Sequence, residues 1–233
     1  MTDAIAAAWK DVNERIARAA PRGGITLVAV GKTHPPEAIR ALSTCGARVF
    51  GENYVQEALG KQAALADLAL EWHMIGPLQS NKAREVAQHF DWLQTLDRAK
   101  LVEPLARHRD ASAAPLNVLI QVNIDDEASK SGCAPGDVPK LAELVATHPT
   151  LRLRGLMAIP APLDLARRRE AFRRMRALFE ALASEYAGVD TLSMGMSDDF
   201  ELAIAEGATM VRVGSALFGA RSRDSGMGIR DSK

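Results

Sequence analysis

The chain has 233 residues, with 29 Lys plus Arg against 29 Asp plus Glu, 47% hydrophobic and 25% charged. A chain this long buries enough apolar surface for a real core, and its composition excludes bulk disorder, collagen and coiled coil. The flat charge balance argues against a dedicated nucleic-acid binder, whose affinity rests on phosphate contacts. No stretch approaches the roughly 20 apolar residues that span a bilayer.

The N-terminal segment places Ile5, Trp9, Val12, Ile16 and Ala19 at steps of four and three, which predicts an amphipathic helix over about 2–20. Pro21 and the Gly23-Gly24 pair end it. Its apolar run reaches only from Ala4 to Trp9 and carries Asp3, Asp11 and Glu14 around it, so it is not a signal peptide. Short strand-like runs follow at 25–30, 47–50, 71–75, 91–95, 116–122, 152–157, 190–194 and 209–213, with helical patterns between them. The clearest helix covers 165–187, with Phe172, Met175, Phe179, Leu182 and Tyr186 on one face. Eight strands alternating with helices imply parallel βαβ units and the size of a (β/α)₈ barrel. A doubly wound open sheet is the alternative. No linker divides the chain: residues 1–221 read as one domain and 222–233 as a polar tail. Cys45 and Cys133 stand far apart without metal-ligand spacing, which points to two buried thiols and a cytoplasmic protein.

In such a barrel the active site lies where strands end at the C-terminal face. Lys32 follows the first strand and shares alternation parity with Thr26, Val28 and Val30. If those face the barrel axis, so does the amine, and desolvation would make it a nucleophile toward a carbonyl. On position alone, a lysine snorkelling into water is the plainer reading. The seventh strand is followed by Gly195-Met196-Ser197-Asp198 and the eighth by Gly214-Ser215-Ala216, two small turns leading into helix. These are the loops where barrels often hold phosphate; Ser197 reads equally well as an N-cap of a helix beginning at Asp198. A phosphorylated aldehyde bridging Lys32 and these turns fits pyridoxal 5′-phosphate. Arg212, at the end of the eighth strand, would face its pyridine nitrogen or make a surface ion pair.

Six motifs carry a resemblance: LVAVGKTHP, FGENYVQE, WHMIGPLQSNK, LRGLMAIP, LSMGMSDDFELAI and VRVGSALFGAR. Together, from about residue 25 to 221, they closely resemble the pyridoxal phosphate homeostasis protein family. The resemblance implies a single barrel like the N-terminal domain of alanine racemase, holding pyridoxal 5′-phosphate as a Schiff base on Lys32. It also implies phosphate contacts at Ser197, Gly214 and Ser215, Arg212 near the pyridine nitrogen, and Asn53 as a further cofactor contact. Gly31, where the family often has Ser, and Met74, where an aromatic is common, depart from the pattern.

Other residues read more plainly. Glu52 fits a helix start, where it favours the dipole. His73, beside Trp72, reads as a packed core histidine, and Lys82 as part of a solvated helix start. Arg167, Arg168, Arg169, Arg173, Arg174 and Arg176 lie opposite the apolar stripe of their helix and read as a solvated face. No spacing suggests a metal site.

The expected function is a non-catalytic protein that holds pyridoxal phosphate and helps control its free level, with apo-enzymes as candidate recipients. A permanently charged arginine opposite the ring nitrogen makes the ring a weak electron sink. The alternative is an amino-acid racemase, but no sequence after the barrel is left for a second domain bearing the opposite-face base. Class I aldolase chemistry would suit a lysine on the sixth strand, which has none. No nucleic-acid or membrane partner is expected, and the chain is expected to be monomeric.

Overall fold

The computed structural model describes residues 2–125, 131–161 and 164–219, so the polar tail 222–233 lies outside the described residues. Helix α1 (Thr2–Ala19) precedes strand β1 (Thr26–Val30) and α2 (Pro36–Thr44). Then come β2 (Val49–Glu52), α3 (Val55–Ala64), β3 (Glu71–Met74), α4 (Ala83–His89), β4 (Trp92–Leu96) and α5 (Val102–His108). The second half runs β5 (Leu116–Gln121), α6 (Val138–Ala146), β6 (Leu151–Met157), α7 (Leu165–Glu185), β7 (Thr191–Ser193), α8 (Phe200–Ala205), β8 (Met210–Val213) and α9 (Ser215–Phe218).

The eight strands form one closed, all-parallel barrel in sequence order, and β8 closes on β1 with Val28 beside Arg212. Closure removes both sheet edges and leaves a ring of strand ends at one mouth. The alternation within each strand then sorts side chains. One set, including Ala29, Phe50, Val118 and Val211, packs outward against the helices. A smaller set, Val28, Trp92, Leu119, Met157 and Met210, packs together as a separate cluster, as residues lining the barrel axis do.

Helix α1 buries Ile5, Val12 and Ile16, as its spacing predicts. It is tied to α8 by Arg15, which grips both carboxylate oxygens of Glu201 at 2.6 and 2.9 Å and lies over the Phe200 ring. In α7, Phe172, Met175 and Leu182 are buried, while Phe179 and, at the C-cap just beyond the helix, Tyr186 are half-buried against the core. Its arginines form the solvated face that their spacing suggests, with Arg167, Arg169, Arg173, Arg174 and Arg176 exposed and only Arg168 half-buried, yet most of them also find carboxylates. Arg168 pairs with Asp199, Arg169 and Arg173 pair with Glu206, and Arg176 pairs with Glu180. The apolar stripe of a helix does not disclose which carboxylates a neighbouring helix will bring alongside. Cys133 is buried as expected, but Cys45 is only half-buried. Among the described residues no helix is long and apolar enough to cross a membrane.

Candidate functional site

At the C-terminal mouth a pocket of about 210 Å³ is lined by Val30, Lys32, His34, Met196, Ser197, Asp198, Arg212, Gly214, Ser215 and Gly219. Five of the six residues singled out from sequence thus meet in one place: Lys32, Ser197, Arg212, Gly214 and Ser215. The sixth, Asn53, lines a separate hollow with Tyr54, Met74, Pro77 and Lys82. Its Oδ1 is buried and meets no hydrogen-bond donor among the described residues.

Lys32 sits on a short, tightly held loop. The next residue, Thr33, has φ 67°, a left-handed conformation that is costly for a β-branched side chain. Its N–H donates to Glu57 Oε1 at 2.6 Å. Lys61, buried on α3, donates to the Gly31 carbonyl at 2.7 Å and to Glu57 Oε1 at 2.6 Å. The loop is therefore clamped from both sides of Lys32. His34, two residues on, stacks on Phe218 at 4.5 Å and closes one wall of the pocket.

Glu52 departs from the sequence reading. It does not open a helix; it ends β2, is fully buried, and accepts from Lys61 at 2.8 Å. Strand β2 extends two residues beyond the apolar run, because burial in a closed barrel does not require an apolar side chain when a buried cation faces it. Burial outweighs the pull of Lys61 and pushes the Glu52 carboxyl up to about 7. A Cβ at Gly31 would stand 2.7 Å from Glu52 Oε1, so this departure from the family pattern does abut the carboxylate, although it lines no part of the pocket.

The loops after β7 and β8 are stitched together by Ser197. Its Oγ lies 3.4 Å from both the Gly214 and the Ala216 N–H. Ser197 is not the N-cap: α8 begins at Phe200 after Asp199, whose carboxylate accepts from the Met196 N–H at 2.8 Å. Arg168 on α7 holds the other Asp199 oxygen at 3.2 Å. Gly195, at φ 93°, makes the turn, and a Cβ there would press to 2.5 Å from the Ala203 side chain.

Arg212 makes no surface ion pair. It is buried, donates from Nη1 to Ser193 Oγ at 2.6 Å and from Nη2 to the Ala158 carbonyl at 2.9 Å. Burial brings the guanidinium down to about 10, so it remains a cation at neutral pH. His73 is the core histidine its position predicts, stacked on Trp92 and fully buried. Burial also holds it below its ordinary value. Lys82 is half-buried and pairs with Glu85 at 3.2 Å. Among the described residues no His, Cys, Asp and Glu cluster could hold a metal ion.

Sequence reasoning missed Lys61, Gln94 and Ser193. Lys61 carries no signal, since a lysine on a surface helix is normally solvated. Gln94 did carry one: a glutamine inside a strand whose every position proves buried must find internal partners.

A closed parallel barrel with a lysine after β1 and small-residue turns after β7 and β8 around one pocket defines a class. The family model described as "Alanine racemase, N-terminal domain" matches residues 2–222. Proteins named "Pyridoxal phosphate homeostasis protein" align at high identity. That of Pseudomonas aeruginosa is 56% identical over 216 residues, covering 90% of this chain and 93% of the relative. That of Escherichia coli K12 is 53% identical over 219 residues, covering 90% and 94%. The chain belongs to the pyridoxal phosphate homeostasis protein family, on the alanine racemase N-terminal fold. Among solved structures, PipY of Synechococcus elongatus, described as a COG0325 family member, is 40% identical. Without PLP it superposes at a TM-score of 0.81, covering 88% of this chain and 99% of PipY. With PLP bound the TM-score is 0.76, at the same coverage. Alanine racemase of Streptomyces lavendulae, 22% identical with a TM-score of 0.72, covers 94% of this chain and 58% of its own and shares the fold.

Proposed function

We propose that this chain binds pyridoxal 5′-phosphate reversibly at the barrel mouth and buffers its free concentration without turning over amino acids. The reading is carried by the convergence of Lys32, Arg212, Ser197, Gly214 and Ser215 on one pocket. The donor set fits the cofactor: an amine for the aldehyde, hydroxyls and a glycine turn for the phosphate, and a guanidinium for the ring nitrogen. Bound there, the cofactor supplies an aldehyde that condenses with a primary amine, losing water. Lys32 provides that amine from a clamped loop. Ser197 and Ser215 offer hydroxyls to the phosphate, and Gly214 keeps the approach clear of a side chain. Asn53 lines the neighbouring hollow, and its place as a further cofactor contact rests on the family resemblance together with its buried, unpartnered Oδ1, which calls for a donor from ligand or water.

Arg212 supports the non-catalytic part. A guanidinium that stays charged does not hand its proton to the ring nitrogen, so negative charge developing on the α-carbon of a bound amino acid gains little relief. Of the other titratable side chains lining the pocket, His34 comes from the same loop as Lys32 and Asp198 from the turn that carries Ser197. The reading extends to a cytoplasmic monomer, with residues 1–221 as the binding domain, that hands cofactor to apo-enzymes and binds no nucleic acid or membrane. The pairing of five α7 arginines, Arg167 with Asp164 among them, with carboxylates supports the nucleic-acid part.

The test is an absorbance spectrum of the purified chain with pyridoxal phosphate, followed by borohydride reduction and peptide mapping. A yellow protein with the cofactor fixed on the Lys32 peptide is expected. A Lys32→Ala protein that keeps the Schiff-base band would refute the assignment.

A further inference from the structure

A row of polar side chains crosses the barrel interior and ends on Arg212. Glu71 Oε1 lies 2.7 Å from His73 Nε2, and His73 Nδ1 lies 2.7 Å from Gln94 Nε2. Ser193 Oγ donates to Gln94 Oε1 at 2.7 Å, and Arg212 Nη1 donates to Ser193 Oγ at 2.6 Å. The residues come from β3, β4, β7 and β8. His73, Gln94 and Ser193 are fully buried.

The bonds have one consistent polarity. The His73 hydrogen bond holds the Glu71 carboxyl below its usual range, so at neutral pH Glu71 is ionised and can only accept. Neutral His73 therefore keeps its proton on Nε2 and presents Nδ1 as an acceptor. That fixes which way the Gln94 amide faces: its NH₂ toward His73, its oxygen toward Ser193. The Ser193 proton is then committed to Gln94, and its oxygen can offer only lone pairs to Arg212. With the Ala158 carbonyl on Nη2, the planar guanidinium has two fixed anchors.

An apolar interior would have packed without these constraints, and a buried polar row is favourable only when every member is satisfied. The geometry points to a reason. We propose that Ser193 and Gln94 are positioning residues for Arg212, oriented through His73 and Glu71, and that they set the chain's selectivity for a ligand ring nitrogen bearing a free lone pair. This rests on the reading that Arg212 faces the ring nitrogen of pyridoxal phosphate.

The test compares dissociation constants of the full chain for pyridoxal phosphate and for its N1-methyl derivative, which has no lone pair there and carries a positive charge. Wild type should prefer pyridoxal phosphate by at least about tenfold, the scale of one charge-assisted hydrogen bond. Arg212→Ala should bring the ratio near unity. Ser193→Ala and Gln94→Leu should each erase much of the preference, Ser193→Thr should restore it, and the preference for pyridoxal phosphate over pyridoxal should stay at the wild-type level in all three. A merely structural role would lower affinity for all ligands alike. If Gln94→Leu does not fold, the Ser193→Ala and Ser193→Thr pair decides. Folded Ser193→Ala and Gln94→Leu proteins with the wild-type ratio, beside an Arg212→Ala protein that has lost it, would overturn the inference alone. A wild type that binds no pyridoxal phosphate, or an Arg212→Ala protein with an unchanged ratio, would overturn the site reading and this inference with it.

Discussion

Buried Lys61 donates to Glu52 Oε1 at 2.8 Å, while Oε2 of the same carboxylate, also buried, meets no partner among the described residues. A carboxylate half-satisfied in this way is poorly stabilised as an anion, which is why burial dominates and places its titration at about 7 rather than near 4.5. Folding therefore favours the protonated form. That contribution to stability is fully present below about 4.5 and is lost as pH rises through about 7. Infrared difference spectra should show a protonated carboxyl band that persists to near neutrality and vanishes in Glu52→Gln. Between pH 5 and pH 8, wild type should lose stability relative to Glu52→Gln. A band gone by pH 5 would show that Lys61 wins after all.

Ser215 is exposed at the pocket rim, the first residue of α9. Ser215→Asp would set a carboxylate against a phosphate dianion. Like charges at that range cost several kcal/mol, so binding of pyridoxal phosphate should weaken on the order of a hundredfold. Because the change is at an exposed position, the fold should survive it. Pyridoxal, which lacks the phosphate, should bind wild type far more weakly than pyridoxal phosphate does. Equal affinities for the two would remove the phosphate from this pocket.

Racemisation needs a proton taken from one face of the α-carbon and one returned to the other. Lys32 can serve one face. Tyr54 caps α3 from an exposed position in the neighbouring hollow, and Tyr186 packs against the core, so neither tyrosine lines the Lys32 pocket. Deuterium exchange at the α-carbon of L- and D-alanine, with chirality followed over time, should be slow and without inversion. Enzyme-like exchange with inversion, lost in Lys32→Ala, would replace the carrier reading with the racemase.

The two thiols should differ sharply in reactivity. Burial, with Asp137 adding to it, pushes the Cys133 thiol up to about 12, leaving almost no thiolate at pH 8. Cys45 is half-buried just past the C-terminal end of α2. In the native protein Cys45 should alkylate first and Cys133 should label only on unfolding, as read by peptide mass spectrometry. Equal native labelling rates would contradict the buried environment of Cys133.

The sequence by itself determined the barrel and most of the pocket. All eight strands fall where the apolar runs lie, because strand and helix periods are local patterns written over five to twenty residues. Lys32, Ser197, Gly214 and Ser215 were legible for a related reason. In a parallel barrel every strand's C-terminal end lies at the same mouth, so position along the chain alone assigns them to one face. What the tertiary structure decided are the relations across the barrel. Lys61 reads as a solvated helix residue until α3 lays it over Gly31 and Glu52. Ser193, Gln94 and His73 lie on three different strands, 99 residues separating the first two and 21 the last two, and they become one hydrogen-bonded row only when the sheet closes. Asn53, one residue past β2, faces a different hollow from Lys32. Such meetings depend on strand stagger and on how buried charges are paired at closure. Both are properties of the closed barrel as a whole, and no local stretch of sequence carries them.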